Sequence, residues 1–241
     1  MKLTTLEVIS NRQLNPRTYE LILSGDIPPV KSGQFADLAV KGWFLKRPFS
    51  IADCEGGRIT VLYKAIGGGT REMAGWKKGD TTDALVCIGE GFDTSACLKP
   101  LLVGGGIGAA PLYLLAKEFN AMGITPDILL AFRDKEEAYY IDEFKALGNV
   151  YLSTDNGSLG YKGNALEALK YYNLEFDRYY ACGPLPMLKA FAEYSRQGQL
   201  SLEARMGCGF GACMGCSIKT KGGPKRVCKE GPVFRADEVI F

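Results

Sequence analysis

Hydrophobic and polar positions follow three successive patterns along this chain. From Leu3 to Val86, short alternating or β-branched runs are separated by glycine and proline turns, which is typical of β-strands. We predict five strands in this region, at Thr4–Ser10, Thr18–Leu23, Gln34–Val40, Arg58–Lys64 and Ala84–Ile88. Several short strands at this spacing predict a small antiparallel β-barrel.

The middle of the chain changes to solid apolar runs that alternate with helical spacing. Leu101–Val103 precedes a glycine-rich turn at residues 104–111. Apolar residues then recur at helical intervals, at Leu112, Leu115, Phe119 and Met122. Further strands are predicted at 128–132, 150–154 and 178–182, and further helices at 142–147, 164–172 and 185–197. This alternation predicts a parallel sheet with helices on its faces and a ligand at the carboxyl ends of its strands.

The third part of the chain carries four of the eight cysteines, at Cys208, Cys213, Cys216 and Cys228. Their spacing, C-x4-C-x2-C followed by eleven residues and a fourth cysteine, is typical of a plant-type [2Fe–2S] site. Thiolates are soft, strongly donating ligands that suit iron. A backbone wrapped closely round a cluster needs positive φ angles and has no room for Cβ atoms, which predicts such roles for Gly207, Gly209, Gly211 and Gly215.

Two other uses of these cysteines stay open at this point. A structural zinc site normally shows paired C-x2-4-C knuckles, whereas only Cys213 and Cys216 make such a pair here. Disulfides would require an oxidising compartment, which nothing else in the chain indicates. A Rieske centre is excluded because it needs two histidine ligands and the chain has none. We therefore favour the iron–sulfur interpretation.

Composition narrows the possible functions. The 241 residues are enough for two domains or for one domain with an appendage, and the net charge of +2 with no basic block argues against nucleic acid as a partner. The opening residues lack the apolar core of a signal peptide, and no run is long enough to span a bilayer, so we expect a cytoplasmic protein with no membrane partner. Without histidine, electron transfer on bound cofactors fits the chain better than hydrolysis does.

Within the predicted barrel lies the segment Arg47–Ser50, followed by Leu62–Lys64 and by the glycine turn that ends at Thr70. Such a turn before a helix suits an anion, although an ordinary turn and helix cap is an equal alternative for the glycines alone. The segments resemble the flavin-binding signature R-x-[YF]-[ST] and the phosphate turn of the ferredoxin–NADP reductase superfamily. That resemblance implies that FAD is bound, with its phosphates and its ring contacted by Arg47, Pro48, Phe49, Ser50, Leu62, Tyr63, Lys64, Gly69 and Thr70. In that family, Arg47 and Thr70 would meet the phosphates and Ser50 would lie near flavin N5.

The glycine turn of the middle region reads as a weak G-x-G-x-x-A dinucleotide fingerprint, and the acidic residue expected about 20 positions later is missing. Together with the later segment Cys182-Gly183-Pro184, it resembles the pyridine-nucleotide half of the same superfamily. The resemblance implies that NAD is bound by Gly104, Gly106, Gly108, Cys182, Gly183 and Pro184. For Cys182, a small buried hydrophobe is an alternative. The loop Thr154–Ser158 resembles a further family loop, with Asn156 in place of an acid. Arg133 could meet a 2′-phosphate, so the residues alone leave NADP open as an alternative to NAD.

The order of the three parts predicts a fold that is all-β and then α/β: a FAD-binding barrel domain at 1–97, an NAD-binding domain at 98–203 and a [2Fe–2S] subdomain at 204–241. That order and the cysteine-containing tail resemble the electron-transfer subunits of type-B, NAD-dependent dihydroorotate dehydrogenase. The resemblance implies a partner, an FMN-containing catalytic subunit in a heterotetramer with two copies of each chain. No candidate substrate base is visible in this sequence, which agrees with a substrate that is handled by that partner. Alternatives are a reductase subunit that serves ferredoxin or a sulfide-dehydrogenase complex, and a zinc-stabilised binding module.

Overall fold

The first part of the chain forms a closed six-stranded barrel in a computed structural model that describes residues 1–241. Its strands are β1 Lys2–Gln13, β2 Thr18–Ser24, β3 Phe35–Leu38, β4 Arg47–Glu55, β5 Arg58–Lys64 and β6 Thr81–Ile88. They pair antiparallel in the order β1-β2-β5-β4-β3-β6, and a short helix, α1 (Gly68–Met73), joins β5 to β6. The predicted antiparallel barrel is confirmed.

Alternation along the strands builds the barrel core. Leu21 and Leu23 of β2 and Ile59 and Val61 of β5 are fully buried and belong to one hydrophobic cluster, while the residues between them face outward. β4 was not predicted as a strand, because its second residue, Pro48, lacks an N–H and demotes the segment in any count of strand formers. α1 ends at Met73.

The second part of the fold is built from the elements after β6, namely β7 Pro100–Gly105, α2 Ala110–Ala121, β8 Asp127–Phe132, α3 Ile141–Lys145, β9 Asn149–Thr154, β10 Tyr161–Lys162, α4 Ala165–Tyr171, β11 Arg178–Cys182, α5 Leu185–Tyr194, β12 Gly198–Ser201, β13 Ser217–Thr220, β14 Gly223–Arg226 and β15 Val233–Arg235. Seven of these strands form one sheet in the order β10-β9-β8-β7-β11-β12-β15. All neighbours are parallel except β15, which pairs antiparallel with β12. The predicted parallel α/β sheet is confirmed.

The strand order reverses direction between β7 and β11, which places a topological switch point at the carboxyl ends of these two strands. Every residue of β7 is buried, as expected for a central strand covered on both faces. A 3₁₀ turn at Gly106–Ala109 connects β7 to α2. α5 stops at Tyr194 rather than at the predicted Gln197, because the chain must turn there to enter β12.

An ion pair and a hydrogen bond join the barrel to helix α2 of the sheet domain. Lys117 of α2 forms an ion pair with Asp53 of β4 at 2.8 Å, and the Ser32 hydroxyl donates to Glu118 at 2.6 Å. The C-terminal region forms the β13–β14 hairpin and then returns to the sheet edge as β15. None of the helices combines the length and the apolar character that crossing a lipid bilayer would require.

Candidate functional site

Arg47 begins β4 at the mouth of the barrel and lies against α1. Its guanidinium is held by the Leu45 carbonyl and stacks over the Trp43 ring at 5.1 Å. Gly69 of α1 gives it room, because a Cβ on Gly69 would come within 2.7 Å of the Arg47 Nε atom. Thr70 shapes the turn before the helix, since its hydroxyl oxygen accepts from the Gly67 N–H at 3.0 Å. The structure thus brings Arg47, Gly69 and Thr70 together, as an anion-binding group requires.

Beside this group, a cavity of about 140 Å³ separates the barrel from the sheet domain. Pro48, Phe49 and Ser50 line its barrel side, together with Phe35 of β3. The opposite wall is the stretch from Ser201 to Met206, which leaves the end of β12 and leads to the cysteines. A planar ring that enters this cavity would therefore meet the Arg47–Ser50 segment on one side and the approach to the cysteine loop on the other.

Leu62, Tyr63 and Lys64 end β5 next to the same region, but their side chains turn elsewhere. Leu62 and Tyr63 are buried, and the Tyr63 hydroxyl donates to Asn11 at 3.1 Å. Lys64 forms an ion pair with Glu137 at 2.6 Å. The pairing of β4 with β5 stops at Ile51 and Val61, so these three residues pair with β2 on one edge only. Towards the flavin signature on β4, these residues offer main chain rather than side chains.

A second cavity of about 420 Å³ opens at the switch point between β7 and β11. Its walls come from the glycine turn, the end of β11, the barrel and the segment after β12, namely Gly105, Gly106, Ile107, Gly108, Gly183, Pro184, Leu185, Leu188, Lys64, Leu202 and Glu203. The two predicted nucleotide-binding segments therefore face one cleft. Of the predicted residues, Gly106, Gly108, Gly183 and Pro184 line it, whereas Gly104 and Cys182 lie behind its wall.

Close packing of main chain holds this cleft together. A Cβ on Gly108 would lie 2.4 Å from the Cys182 carbonyl oxygen, so only glycine allows the two segments to approach. The Cys182 thiol is buried beneath the surface, and that burial, followed by the nearby Glu203 carboxylate, raises its pKa to about 12. Cys182 is therefore a neutral thiol that packs, and the residues after it supply the cleft surface.

The sequence did not point to two residues that contact or line this cleft. Tyr139 is buried under the glycine turn, where its hydroxyl lies 2.9 Å from the Gly106 carbonyl oxygen and 3.2 Å from that of Ile107. Glu203 lines both cavities. Although Glu203 as a residue is exposed, burial of its carboxyl between the cavities raises its pKa above the usual value. Only its place four residues before Gly207, the first glycine of the predicted cysteine loop, could have drawn attention to it.

The loop Thr154–Ser158 follows β9 at the same edge of the sheet. Asn156 accepts from the Ser158 N–H at 2.9 Å, and the Ser158 oxygen accepts from the Lys135 N–H at 2.9 Å, which ties this loop to the one after β8. Asp134 caps that neighbouring turn by accepting from the Glu136 N–H at 2.9 Å. Asn156 and Asp134 thus have structural roles, while Arg133 is exposed at the same edge.

The four C-terminal cysteines lie in one region of the chain as two separate pairs, and no three of them are close enough together to hold one metal ion. The Sγ atoms of Cys216 and Cys228 lie 3.2 Å apart in the interior. The Cys208 sulfur accepts from the N–H groups of Ala212 at 3.2 Å and Cys213 at 3.4 Å, and Cys213 itself is exposed. All eight cysteines are free thiols. Backbone N–H groups directed at a sulfur suit a thiolate that carries negative charge, and so this donor set fits an iron–sulfur cluster.

The prediction of positive φ angles in this loop is correct for two of its four glycines. Gly209 and Gly211 have positive φ angles of 74° and 91°, but Gly207 and Gly215 do not belong to this class. Gly207 and Gly215 instead lie beside the Cys213 sulfur, where an added Cβ would come within 3.2 Å and 3.5 Å of it. Small size explains Gly207, whereas a Cβ on Gly215 would make only an ordinary contact, and nothing in the structure requires glycine there.

The thiols of Cys208 and Cys228 differ in pKa, and so in how readily they ionise. Burial opposes ionisation of Cys208, but the N–H groups of Cys213, Phe210 and Ala212 outweigh it and lower the pKa of this thiol to about 6. Burial, together with the Cys216 thiol, raises the pKa of Cys228 to about 12. Binding a metal at Cys228 must therefore displace a proton that this thiol holds tightly.

Comparison with known proteins agrees with this architecture. Residues 203–240 match the family profile described as the iron–sulfur cluster binding domain of dihydroorotate dehydrogenase B. The chain is 42% identical to the dihydroorotate dehydrogenase B (NAD(+)) electron transfer subunit of Fusobacterium nucleatum subsp. nucleatum, over 99% of both proteins. It is also 42% identical to the protein of the same name from Bacillus caldolyticus, over 98% of both.

Among solved structures, the chain is similar to one described as an NADH-dependent reduced ferredoxin-NADP oxidoreductase. The TM-score is 0.90 with 28% identity, over 98% of this chain and 89% of that one. This likeness supports the barrel-and-sheet arrangement, and the higher identity over full length lies with the dehydrogenase subunits. The chain therefore belongs to the family of dihydroorotate dehydrogenase B (NAD(+)) electron transfer subunits.

Proposed function

We propose that this chain transfers electrons from the FMN-containing catalytic subunit of dihydroorotate dehydrogenase B to NAD⁺, through a [2Fe–2S] cluster and FAD, in the cytoplasm as a step of pyrimidine biosynthesis. One observation carries the proposal. The stretch Ser201–Met206 lines the cavity beside the flavin signature, contributes Leu202 and Glu203 to the nucleotide cleft, and runs directly into the cysteine loop. Three predicted cofactor sites thus share one wall.

The three groups would supply complementary chemistry, since nicotinamide exchanges two electrons, an iron–sulfur cluster exchanges one, and a flavin exchanges either number. The protein's own residues bind and orient them. Arg47, with Gly69 and Thr70 of the adjoining turn, would hold the FAD phosphates. Pro48, Phe49 and Ser50 would cover the ring, and the free main-chain edge of Leu62–Lys64 would meet it from the next strand.

For the nucleotide, the glycine turn would face the pyrophosphate and the Gly183–Pro184 segment would lie beside the nicotinamide. Lys64 is neutralised by Glu137 at the edge of this cleft. We assign NAD rather than NADP on the family, and the test is flavin reduction by NADH and by NADPH followed at the flavin absorbance band. Equal rates with the two nucleotides would contradict the assignment.

The cysteine loop would face the catalytic subunit. Phe210 and Met214 flank the exposed Cys213, and each is 49% exposed although apolar. Aromatic residues and methionine are enriched at protein interfaces, so this surface suits a partner in a heterotetramer with two copies of each chain. We retain the division into a barrel domain (1–97), a nucleotide domain (98–203) and a cluster subdomain (204–241) as part of the proposal.

The decisive experiment compares the chain with and without its partner. Co-expressed with the FMN subunit, it should co-purify and reduce NAD⁺ when dihydroorotate is added. Alone, it should oxidise NADH with an artificial acceptor, and dihydroorotate should leave its flavin and cluster absorbance unchanged. Bleaching by dihydroorotate alone would place the substrate site in this chain, and a colourless preparation that contains one zinc would remove the electron-transfer proposal.

The likeness to the ferredoxin oxidoreductase favours ferredoxin as a second candidate partner. Adding reduced ferredoxin to the isolated chain with NAD⁺ tests it directly. NADH formation at a rate that matches the dihydroorotate-dependent reaction of the complex would support ferredoxin, and the absence of formation would leave the catalytic subunit as the partner.

A further inference from the structure

Asp37 lies on β3 between the strand of the flavin signature and the cysteine loop. In the β3–β4 ladder it stands directly opposite Pro48, two positions from the Phe35–Ser50 pair that lines the smaller cavity. Its neighbours Ala36 and Leu38 point into the barrel core, so its own side chain points outward. Against it lies Gly209, where a Cβ would come within 2.6 Å of the Asp37 Oδ2 atom.

This carboxyl group is buried without a partner. Asp37 is only 2% exposed, and its Oδ1 atom is buried with no hydrogen-bond donor. Lys46 and Arg47 are the positive charges that act on it through space, and neither forms an ion pair with it. Burying a carboxyl group in this way is unfavourable, and such groups call for an explanation in terms of function.

The lone carboxylate of Asp37 contrasts with another carboxylate of this region, which is paired. Glu230, the acid that follows Cys228, is tied to Arg226 in a bidentate ion pair. Burial, opposed in part by Lys46 and Arg47, raises the pKa of Asp37 to about 6. The group is therefore ionised above neutral pH and acts on its surroundings as a negative charge in a poorly solvated position.

We propose that Asp37 lowers the reduction potential of the cluster bound by the cysteine loop, as a positioned charge between the flavin strand and Gly209. This inference rests on the proposed function, because it needs the cluster to be present. Reduction adds one electron and so one unit of negative charge to the cluster. A fixed carboxylate nearby makes that addition less favourable, which would favour onward transfer to FAD.

The test is a redox titration of the purified chain at pH 8, followed by the EPR signal of the reduced cluster. Asp37→Asn and Asp37→Leu both remove the charge at similar volume, one with a polar group and one without. Each should shift the one-electron reduction equilibrium of the cluster about tenfold towards the reduced form, which is about 59 mV to more positive potential. Glu7→Gln is the matched control, because Glu7 is an exposed carboxylate on β1 of the same barrel.

A positive shift in both Asp37 variants with an unchanged Glu7→Gln potential supports the inference. An unchanged potential in either cluster-containing variant, or an equal shift in Glu7→Gln, overturns it. If Asp37→Asn fails to retain its cluster, Asp37→Leu carries the measurement alone. A wild-type chain with no two-iron EPR signal after reduction would instead defeat the proposed function, so the two failures are told apart by the wild-type spectrum.

Discussion

The glycine turn after β7 and the cysteine loop after β12 are both rich in glycine and both predicted to bind a cofactor, yet they are supported in different ways. The glycine turn leaves a strand whose six residues are all buried, and the Tyr139 hydroxyl holds it from below. The cysteine loop lies in a stretch, residues 202–216, that contains no helix or strand, and Cys213, Phe210 and Met214 in it are exposed.

This contrast teaches where each site draws its stability. The nucleotide cleft is shaped by the packed core of the sheet domain and should persist without its ligand. The cysteine loop has few buried apolar side chains of its own, and its order depends on the thiols, on the Arg226 guanidinium that donates to the Gly211 carbonyl at 2.7 Å, and on the metal they are proposed to bind. Removing the bound group should therefore disturb the cysteine loop much more than the nucleotide cleft.

The largest effect is expected for Cys228→Ser, which removes one of the two buried thiols, those of Cys216 and Cys228. We expect complete loss of the cluster, because its four thiolates are all needed, with FAD content and NADH oxidation by an artificial acceptor preserved. Iron and sulfide content and the EPR spectrum of the reduced protein provide the measurement. Cys54→Ser, which changes a thiol on β4 of the barrel, should keep both cofactors. A wild-type EPR signal from Cys228→Ser would contradict the assignment of this ligand.

The next largest effect is expected for Arg47→Ala at the barrel mouth. Loss of charge-assisted hydrogen bonds to phosphate, each worth about 1.5–3 kcal/mol, should raise the Kd for FAD roughly 10- to 100-fold. Fluorescence titration of the deflavinated protein measures it. Arg58→Ala, at the exposed start of β5, is the control and should bind FAD normally. The cluster EPR signal should be the same in both variants, so a lost signal in Arg47→Ala would show that the two sites are not independent.

A smaller effect, about tenfold in the rate of flavin reduction by NADH, is expected for Glu203→Gln. Because burial raises the pKa of Glu203, its carboxyl group ionises at a pH above the ordinary value of 4.5. The wild-type rate of flavin reduction should therefore change with pH above that value. The Gln variant should lack this change of rate with pH, as measured by stopped-flow reduction across pH values above 4.5. An identical pH profile in the two proteins would exclude Glu203 from the reaction.

The smallest effect is expected for Tyr139→Phe under the glycine turn. Loss of the hydroxyl contacts with the Gly106 and Ile107 carbonyls should cost about 1 kcal/mol, or roughly a fivefold rise in KM for NADH with kcat preserved. Tyr172→Phe is matched, since its hydroxyl donates to the Leu152 carbonyl at 3.0 Å elsewhere in the same domain. An equal KM rise in Tyr172→Phe would mean that the effect reflects general loosening of the sheet domain.

Local signals carried most of the prediction. The β5 and β11 boundaries agree with the structure to the residue, because each is a short apolar run closed by turn residues. The cysteine ligands were predicted from their spacing in the sequence, because the length of the loop between them limits where their thiols can lie. The flavin-binding and nucleotide-binding segments were predicted from their resemblance to a known family. The structure adds which of their residues line a cavity.

What the sequence determined by itself was the order of the parts and the kind of ligand each part favours, because periodicity and spacing are encoded within a few residues. Only the tertiary structure decided that Glu203 joins two cavities, that Lys64 is neutralised by Glu137, and that Asp37 is buried against Gly209. These relations join residues far apart in the chain. Their energies arise from burial and from charge at short range, and neither exists until the barrel and the sheet have packed together.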